Sequence, residues 1–252
     1  MSTSNPERNI VLALGGSDWE KLYRIGALAP LLTLIFYVSE FALIRWDEFP
    51  ASPEEWFHLF ERSKLLGLFY INALDIFSIT LLGLMFLALF MALRKTDPAT
   101  MLVATFFGLL GVVVFVVPRV AMLSFLNLSD QYALAVTETE KVRLLAAGET
   151  LGALGTPTPQ TMGFFFMSIG VLILSLIMLR NPQCSKITAW FGILASLATF
   201  ADDLSLVTHP SISTPLMILS GLFWIPWWLL ISRELFRFSG VTPKAKEASY
   251  VT

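Results

Sequence analysis

Charged residues, histidine and cysteine are all scarce in this sequence of 252 residues. Only 14% of the residues are charged, and the chain contains two histidines and one cysteine. A single cysteine excludes a disulfide framework and a cysteine-rich zinc module. A net charge of −2 excludes the basic surface that nucleic-acid binding needs. The two histidines belong to no known ligand motif, so the sequence predicts no metal, no cofactor and no nucleic-acid partner.

Hydrophobic residues, by contrast, dominate the composition. They make up 56% of the chain, and the mean hydropathy of +0.71 is too high for an ordinary soluble domain. A bilayer core about 30 Å thick needs roughly 20 apolar residues per helix. Six such stretches occur between charged or proline-rich breaks, at 22–46, 65–93, 101–128, 162–179, 187–207 and 215–235. We therefore expect an all-α, polytopic membrane bundle of six transmembrane helices, with a kink at Pro118 in the third.

Lysine and arginine are unevenly distributed between the two ends of this bundle. Eleven of the 17 fall at the end that carries both termini, and the other six are Arg45, Arg62, Lys64, Arg119, Lys141 and Arg143. By the positive-inside rule, both termini are expected in the cytoplasm, with the chain in the plasma membrane of a prokaryote. The expected divisions are a cytoplasmic N-terminal segment (1–21), a single six-span domain (22–237) and a cytoplasmic tail (238–252).

Two extracytoplasmic connections each predict a short helix. Ser52 followed by Pro53 is a typical helix start, and the apolar residues that follow are expected to lie in the membrane interface. Thr137, with Glu140 three residues later, forms a capping box that predicts a helix to about Leu154.

Ionisable residues are rare inside the predicted spans, and each is a candidate functional residue because a charge in lipid is costly. The candidates, all in the outer half, are Glu40, Asp75, Arg119, Asp202 and Asp203. Asn72 joins these candidates, because helical spacing of three places it on the same face as Asp75, and the same spacing places Tyr37 on the face of Glu40. A third polar stripe joins Ser196, Thr199 and Asp203. We expect these faces to line a polar cleft open to the outside, with Arg119 as its only cation.

Four further residues are expected at the lip of this cleft: Asp130, Gln131, Tyr132 and His209. The alternative for the first three is loop geometry, since Asp130 is a good turn residue and Tyr132 is a good interface anchor. The alternative for the charged residues is a set of ion pairs that hold the bundle together.

Short motifs in and after the third span carry a resemblance to a known family. They are Leu128-Ser129-Asp130-Gln131-Tyr132 and the alanine-rich Leu144-Leu145-Ala146-Ala147-Gly148-Glu149, supported by Tyr23-Arg24-Ile25-Gly26 and Arg233-Glu234-Leu235-Phe236-Arg237. Together they resemble an uncharacterised prokaryotic membrane family, a domain of unknown function with about six spans. The resemblance implies a six-span membrane fold and no particular activity.

Three functions from different classes remain open. The favoured one is a non-catalytic, sensor-like or accessory protein that binds a small molecule, a lipid or a membrane-protein partner through the cleft. The second is a proton- or ion-coupled transporter in which Asp75 changes protonation as Arg119 exchanges partners. It ranks lower because the two halves show no inverted repeat and the pathway would be narrow without a homodimer. The third is an intramembrane enzyme that uses two of Asp75, Asp202 and Asp203, although adjacent aspartates point about 100° apart on a helix.

Overall fold

A computed structural model describes residues 18–45, 49–155 and 157–247. Most of the predicted N-terminal segment, residue 46 at the end of the first predicted span, and the last five residues of the predicted tail lie outside these ranges. Residues 238–247, which the sequence assigns to the tail, continue the last helix.

Within the described ranges the chain is helical, with no β-strand. The long helices are α1 (Asp18–Leu43), α4 (Leu74–Leu93), α5 (Pro98–Met122), α8 (Pro157–Arg180), α9 (Lys186–Thr208) and α10 (Ser213–Glu247). The short ones are α2 (Pro53–Arg62), α3 (Lys64–Tyr70), α6 (Phe125–Leu134), α7 (Glu138–Leu154) and a 3-10 turn (Pro210–Ile212). Among the described residues, six helices are long and apolar enough to cross a membrane. The protein is therefore a multi-pass membrane protein with an all-α bundle, as the sequence predicts.

Both predicted connecting helices form, and the predicted residues start them. The Ser52 hydroxyl accepts the Glu55 N–H at 3.2 Å before α2. The Thr137 hydroxyl accepts the Glu140 N–H at 3.3 Å before α7. Each contact satisfies one of the backbone donors that a helix leaves free in its first turn.

The bundle is assembled from pairs of long helices. Helix α1 packs against α4 and α10, α9 packs against α8 and α10, and α5 packs against α8 and α4. Glycines allow the close approach of α5 to α8, since a Cβ at Gly111 would lie 2.5 Å from the Met167 backbone nitrogen. These contacts surround one apolar core, which we call the bundle core.

A second apolar core covers one end of the bundle. We call α2, α3, α6 and α7 the cap; it lies where α1 and α5 end and α4 begins, and its core includes Trp56, Phe57, Phe60 and Phe125. The Phe125 ring stacks on Trp56 and on Phe60 at centroid distances of 5.6 and 6.2 Å. The apolar side of α2 is therefore buried against protein. That α2 lies in the membrane interface stays a prediction.

A break between α3 and α4 shortens the second predicted span. The sequence predicts a start at Leu65, but the membrane-spanning helix begins at Leu74. Asn72, inside the break, has a φ of 53°, the one positive φ of a non-glycine residue in the described ranges. Asparagine tolerates this left-handed conformation better than most side chains. Residues 65–70 are as apolar as the span itself, so hydropathy alone does not separate α3 from α4. Likewise, the predicted third span, 101–128, extends past the end of α5 into α6, which belongs to the cap.

Candidate functional site

Three charged side chains meet where the cap joins the bundle. Glu40 lies near the end of α1, Asp75 in the first turn of α4 and Arg119 near the end of α5. Arg119 Nη2 lies 3.3 Å from Asp75 Oδ2. The Glu40 carboxylate accepts a hydrogen bond from the N–H of Leu74, the residue that precedes Asp75. We call these three residues the charge cluster.

The break between α3 and α4 supplies backbone partners to the charge cluster. The Leu74 N–H, at the start of α4, donates to Glu40 Oε1 at 3.1 Å. Arg119 Nη1 donates to the Ile71 carbonyl, at the end of α3, at 3.3 Å. A helix N-terminus carries partial positive charge and a C-terminus partial negative charge. The carboxylate and the guanidinium therefore each face the helix end of opposite sign.

Apolar side chains from both cores surround the guanidinium of Arg119. The Phe115 ring, from the bundle core, lies 5.7 Å from its Cζ, and Met122 Sδ, from the cap core, accepts from Nη1 at 3.9 Å. Glu40, Asp75 and Arg119 are only 4%, 3% and 5% exposed. The sequence places these groups in a cleft open to the outside, whereas in the structure the cap closes over them.

Four buried polar atoms around the charge cluster have no hydrogen-bond partner within the described part of the chain. They are Tyr37 Oη, Asn72 Oδ1, Asp75 Oδ1 and Arg119 Nε. Buried polar atoms are nearly always paired, so each exception asks for an explanation. Two of these atoms are acceptors, one is a donor and one is a hydroxyl that does both. The unfilled hydrogen-bonding positions therefore include both donors and acceptors.

The predicted candidates on α9 do not join the charge cluster. Asp202 accepts a hydrogen bond from the Ser213 hydroxyl at 2.9 Å. Neither Asp202 nor its neighbour Asp203 forms a hydrogen bond or ion pair with the cluster in the regions that the structure covers. Thr199, which the sequence places on the same stripe, instead bonds Ser220 at 3.0 Å and Trp224 at 2.9 Å. The reason is helix order, because α9 packs against α8 and α10 rather than against α4.

Of the predicted lip residues, two bind the helices of the cap to one another. Asp130 accepts from Lys64 Nζ at 2.7 Å, and the Tyr132 hydroxyl donates to Glu54 Oε1 at 3.1 Å. Gln131 is exposed on the same short helix. His209 lies apart from them, exposed between α9 and the 3-10 turn. In the described ranges, His, Cys, Asp and Glu side chains form no group of three that could hold a metal ion.

The comparison with family models decides where this chain belongs. The model described as "Domain of unknown function (DUF4386)" matches residues 65–232. The chain belongs to this family. Asp75 and Arg119 fall inside the matched range, whereas Glu40 precedes it. No curated protein and no solved structure matches the chain.

Some participants in the site of this DUF4386 protein escape sequence reasoning. Tyr37 is on the predicted α1 stripe, three residues before Glu40, but is not singled out as a site residue. The Ile71 carbonyl and the Leu74 N–H are backbone groups, which leave no signature in residue type. The one available signal is Asn72, an isolated amide within an otherwise apolar run.

Proposed function

We propose that this DUF4386 protein is a non-catalytic, sensor-like membrane protein that binds a small polar molecule at the charge cluster. The observation that carries the proposal is the buried Asp75–Arg119 pair, in which Asp75 Oδ1 and Arg119 Nε have no hydrogen-bond partner in the described part of the chain. A ligand with both donor and acceptor groups would pair with these atoms. A small molecule or a lipid headgroup has this chemistry.

A purely structural ion pair does not account for the composition of the charge cluster. One carboxylate would neutralise Arg119, yet Glu40 brings a second carboxyl group into the same buried space. Burying a second carboxyl group costs free energy, whether it is ionised or protonated, unless its polar atoms are paired. A binding role gives the additional group a use.

A ligand would reach the charge cluster from the side of the cap. The contacts of Lys64 with Asp130 and of Tyr132 with Glu54 hold the cap helices together at the surface. Both contacts are exposed, and an exposed ion pair such as Lys64–Asp130 contributes only about 0–1 kcal/mol. The apolar core of the cap therefore sets most of the cost of opening a path to the charge cluster.

The test is thermal unfolding of the detergent-solubilised protein with a panel of primary amines, amino acids and soluble lipid headgroups. A ligand present at about 100 times its Kd stabilises the folded state by about 2.7 kcal/mol. We expect at least one panel member to raise the Tm of the wild-type protein but not of Asp75→Asn. The matched control, Asp202→Asn, removes a carboxylate outside the cluster and should keep the response. An unchanged wild-type Tm across the panel, or an equal shift in Asp75→Asn, would refute the proposal.

The proposed location is the plasma membrane of a prokaryote, with both termini in the cytoplasm. The support is the excess of lysine and arginine at the end of the bundle opposite the cap. In a Cys184→Ala background, a membrane-impermeant maleimide added to whole cells should label Gln131→Cys in the cap. Lys95→Cys, exposed at the opposite end, should be labelled only after lysis. The reverse pattern would invert the topology.

The α3–α4 break favours a second candidate, a proton- or ion-coupled transporter that uses Asp75 and Arg119. Interrupted helices whose ends face charged groups are typical of transporter sites. In proteoliposomes, Asp75→Asn should then abolish an ion-dependent flux that Asp202→Asn preserves. The carboxylate enzyme receives no geometric support, because Asp202 and Asp203 are not paired with Asp75. A homodimer and a membrane-protein partner remain predictions.

A further inference from the structure

Charge does not balance in the charge cluster when every group is ionised. Glu40 and Asp75 contribute two carboxyl groups, and Arg119 contributes one guanidinium, which pairs with Asp75. No ion pair among the residues that the structure describes includes Glu40; its carboxylate accepts only the neutral Leu74 N–H. Ionised in full, the cluster would hold a net charge of −1 away from water.

The two carboxyl groups are placed so that they share one positive charge. The Leu74 N–H fixes the Glu40 carboxyl group beside the first turn of α4, whose second residue is Asp75. Asp75 Oδ1 lacks a donor. Two carboxylates in such proximity cannot both ionise easily, and pairs of this kind commonly hold a single proton between them.

We propose that Glu40 and Asp75 hold one exchangeable proton between their carboxyl groups, which makes the charge cluster a proton-binding site. The proton makes the cluster neutral and gives Asp75 Oδ1 its missing donor. The inference adds a proton to the proposed binding site. It rests on the proposed function for one step only, the release of that proton when a ligand binds. When a cationic ligand group binds, the carboxyl O–H bond breaks and the proton leaves to water on the cap side, so that one positive charge replaces another.

The groups that face the carboxyl pair are few. Tyr37 from α1 and Arg119 from α5 are the titratable or charged side chains that interact with it. Helix α10 contributes the indole of Trp228, which stacks on Tyr37 at 5.8 Å and does not titrate. Among these neighbours, Arg119 alone brings a positive charge, so the balance depends on the proton.

Infrared spectroscopy of the full-length protein in detergent at neutral pH tests the proposal, through the C=O stretching band of a protonated carboxyl group and its shift in D₂O. We expect the band in the wild-type protein and its loss in both Glu40→Gln and Asp75→Asn. Glu40→Asp should restore part of it. All proteins are compared in an Asp203→Asn background, so that the half-buried carboxyl group on α9 does not contribute to the band. Asp130→Asn, which removes an exposed carboxyl group, should leave the band unchanged.

Isotope labelling covers the case in which a variant fails to fold. Carboxyl-¹³C aspartate or glutamate, incorporated into the wild-type protein, should shift the same band without any substitution. Absence of a protonated carboxyl band, or a band that survives in both variants, would overturn the inference. The panel experiment remains independent: a protonated pair without any ligand response refutes only the proposed function, and a ligand response without a protonated carboxyl refutes only this inference.

Discussion

Replacing Arg119 by glutamine should strongly destabilise the protein. The guanidinium lies 3.3 Å from Asp75 Oδ2, and both residues are almost fully buried. With an effective dielectric constant of about 20, two unit charges at that separation attract by about 5 kcal/mol. Removing one partner of a buried pair typically costs about 3–5 kcal/mol, because the other charge stays buried and unpaired. We expect Arg119→Gln to lower the free energy of unfolding by that amount.

Lys64→Gln provides a matched control, because it removes a shorter ion pair. Lys64 Nζ lies 2.7 Å from Asp130 Oδ2, but the two side chains are 56% and 55% exposed. Solvent screens such a pair, so its loss should cost no more than about 1 kcal/mol. We therefore expect Arg119→Gln to lose more stability than Lys64→Gln, because its ion pair is buried. This order holds although the buried pair is the longer of the two.

Unfolding in mixed micelles with increasing SDS, followed by tryptophan fluorescence, measures both costs. The double variant Asp75→Asn/Arg119→Gln should be more stable than the sum of the two single losses predicts, by roughly 0.5–3 kcal/mol, since contacting residues are energetically coupled. Equal losses for Arg119→Gln and Lys64→Gln, or strict additivity in the double variant, would refute the reasoning.

Three further predictions concern other parts of the molecule. Gly111→Ala should cost about 1–3 kcal/mol in the same assay, because its Cβ would meet the Met167 backbone, whereas Gly221→Ala, with open space around it, should be neutral or stabilising. Asn72→Ala should cost about 1–2 kcal/mol at a φ of 53°, and Asn72→Gly should not. Burial raises the pKa of the Cys184 thiol to about 11, so its alkylation at pH 8, measured by mass spectrometry, should be slow until SDS unfolds the protein.

Sequence reasoning reached the membrane fold because the bilayer imposes a length and a composition that hydropathy detects directly. It also grouped Glu40, Asp75 and Arg119, since few charges lie in the spans and all three are at the same depth. It grouped Asp202 and Asp203 with them for the same reason. Depth, however, says nothing about which helices are neighbours, and that order is set by side-chain packing such as the fit of α5 against α8.

The closed state of the site was also beyond the sequence. The amphipathic pattern of α2 identifies an apolar side, but the same pattern suits a lipid surface and a protein core. Phe125, which Trp56 and Phe60 cover, lies within a stretch that reads as the end of the third span. The pattern therefore left the choice between membrane and cap undetermined.

The interruption at residues 71–73 divides the backbone contacts of the charge cluster between two helices. Arg119 takes its backbone acceptor from Ile71, at the end of α3, whereas Glu40 takes its backbone donor from Leu74, in α4. The solvation of the buried cation therefore depends on the placement of a cap helix, and that of the buried carboxylate depends on a membrane-spanning one.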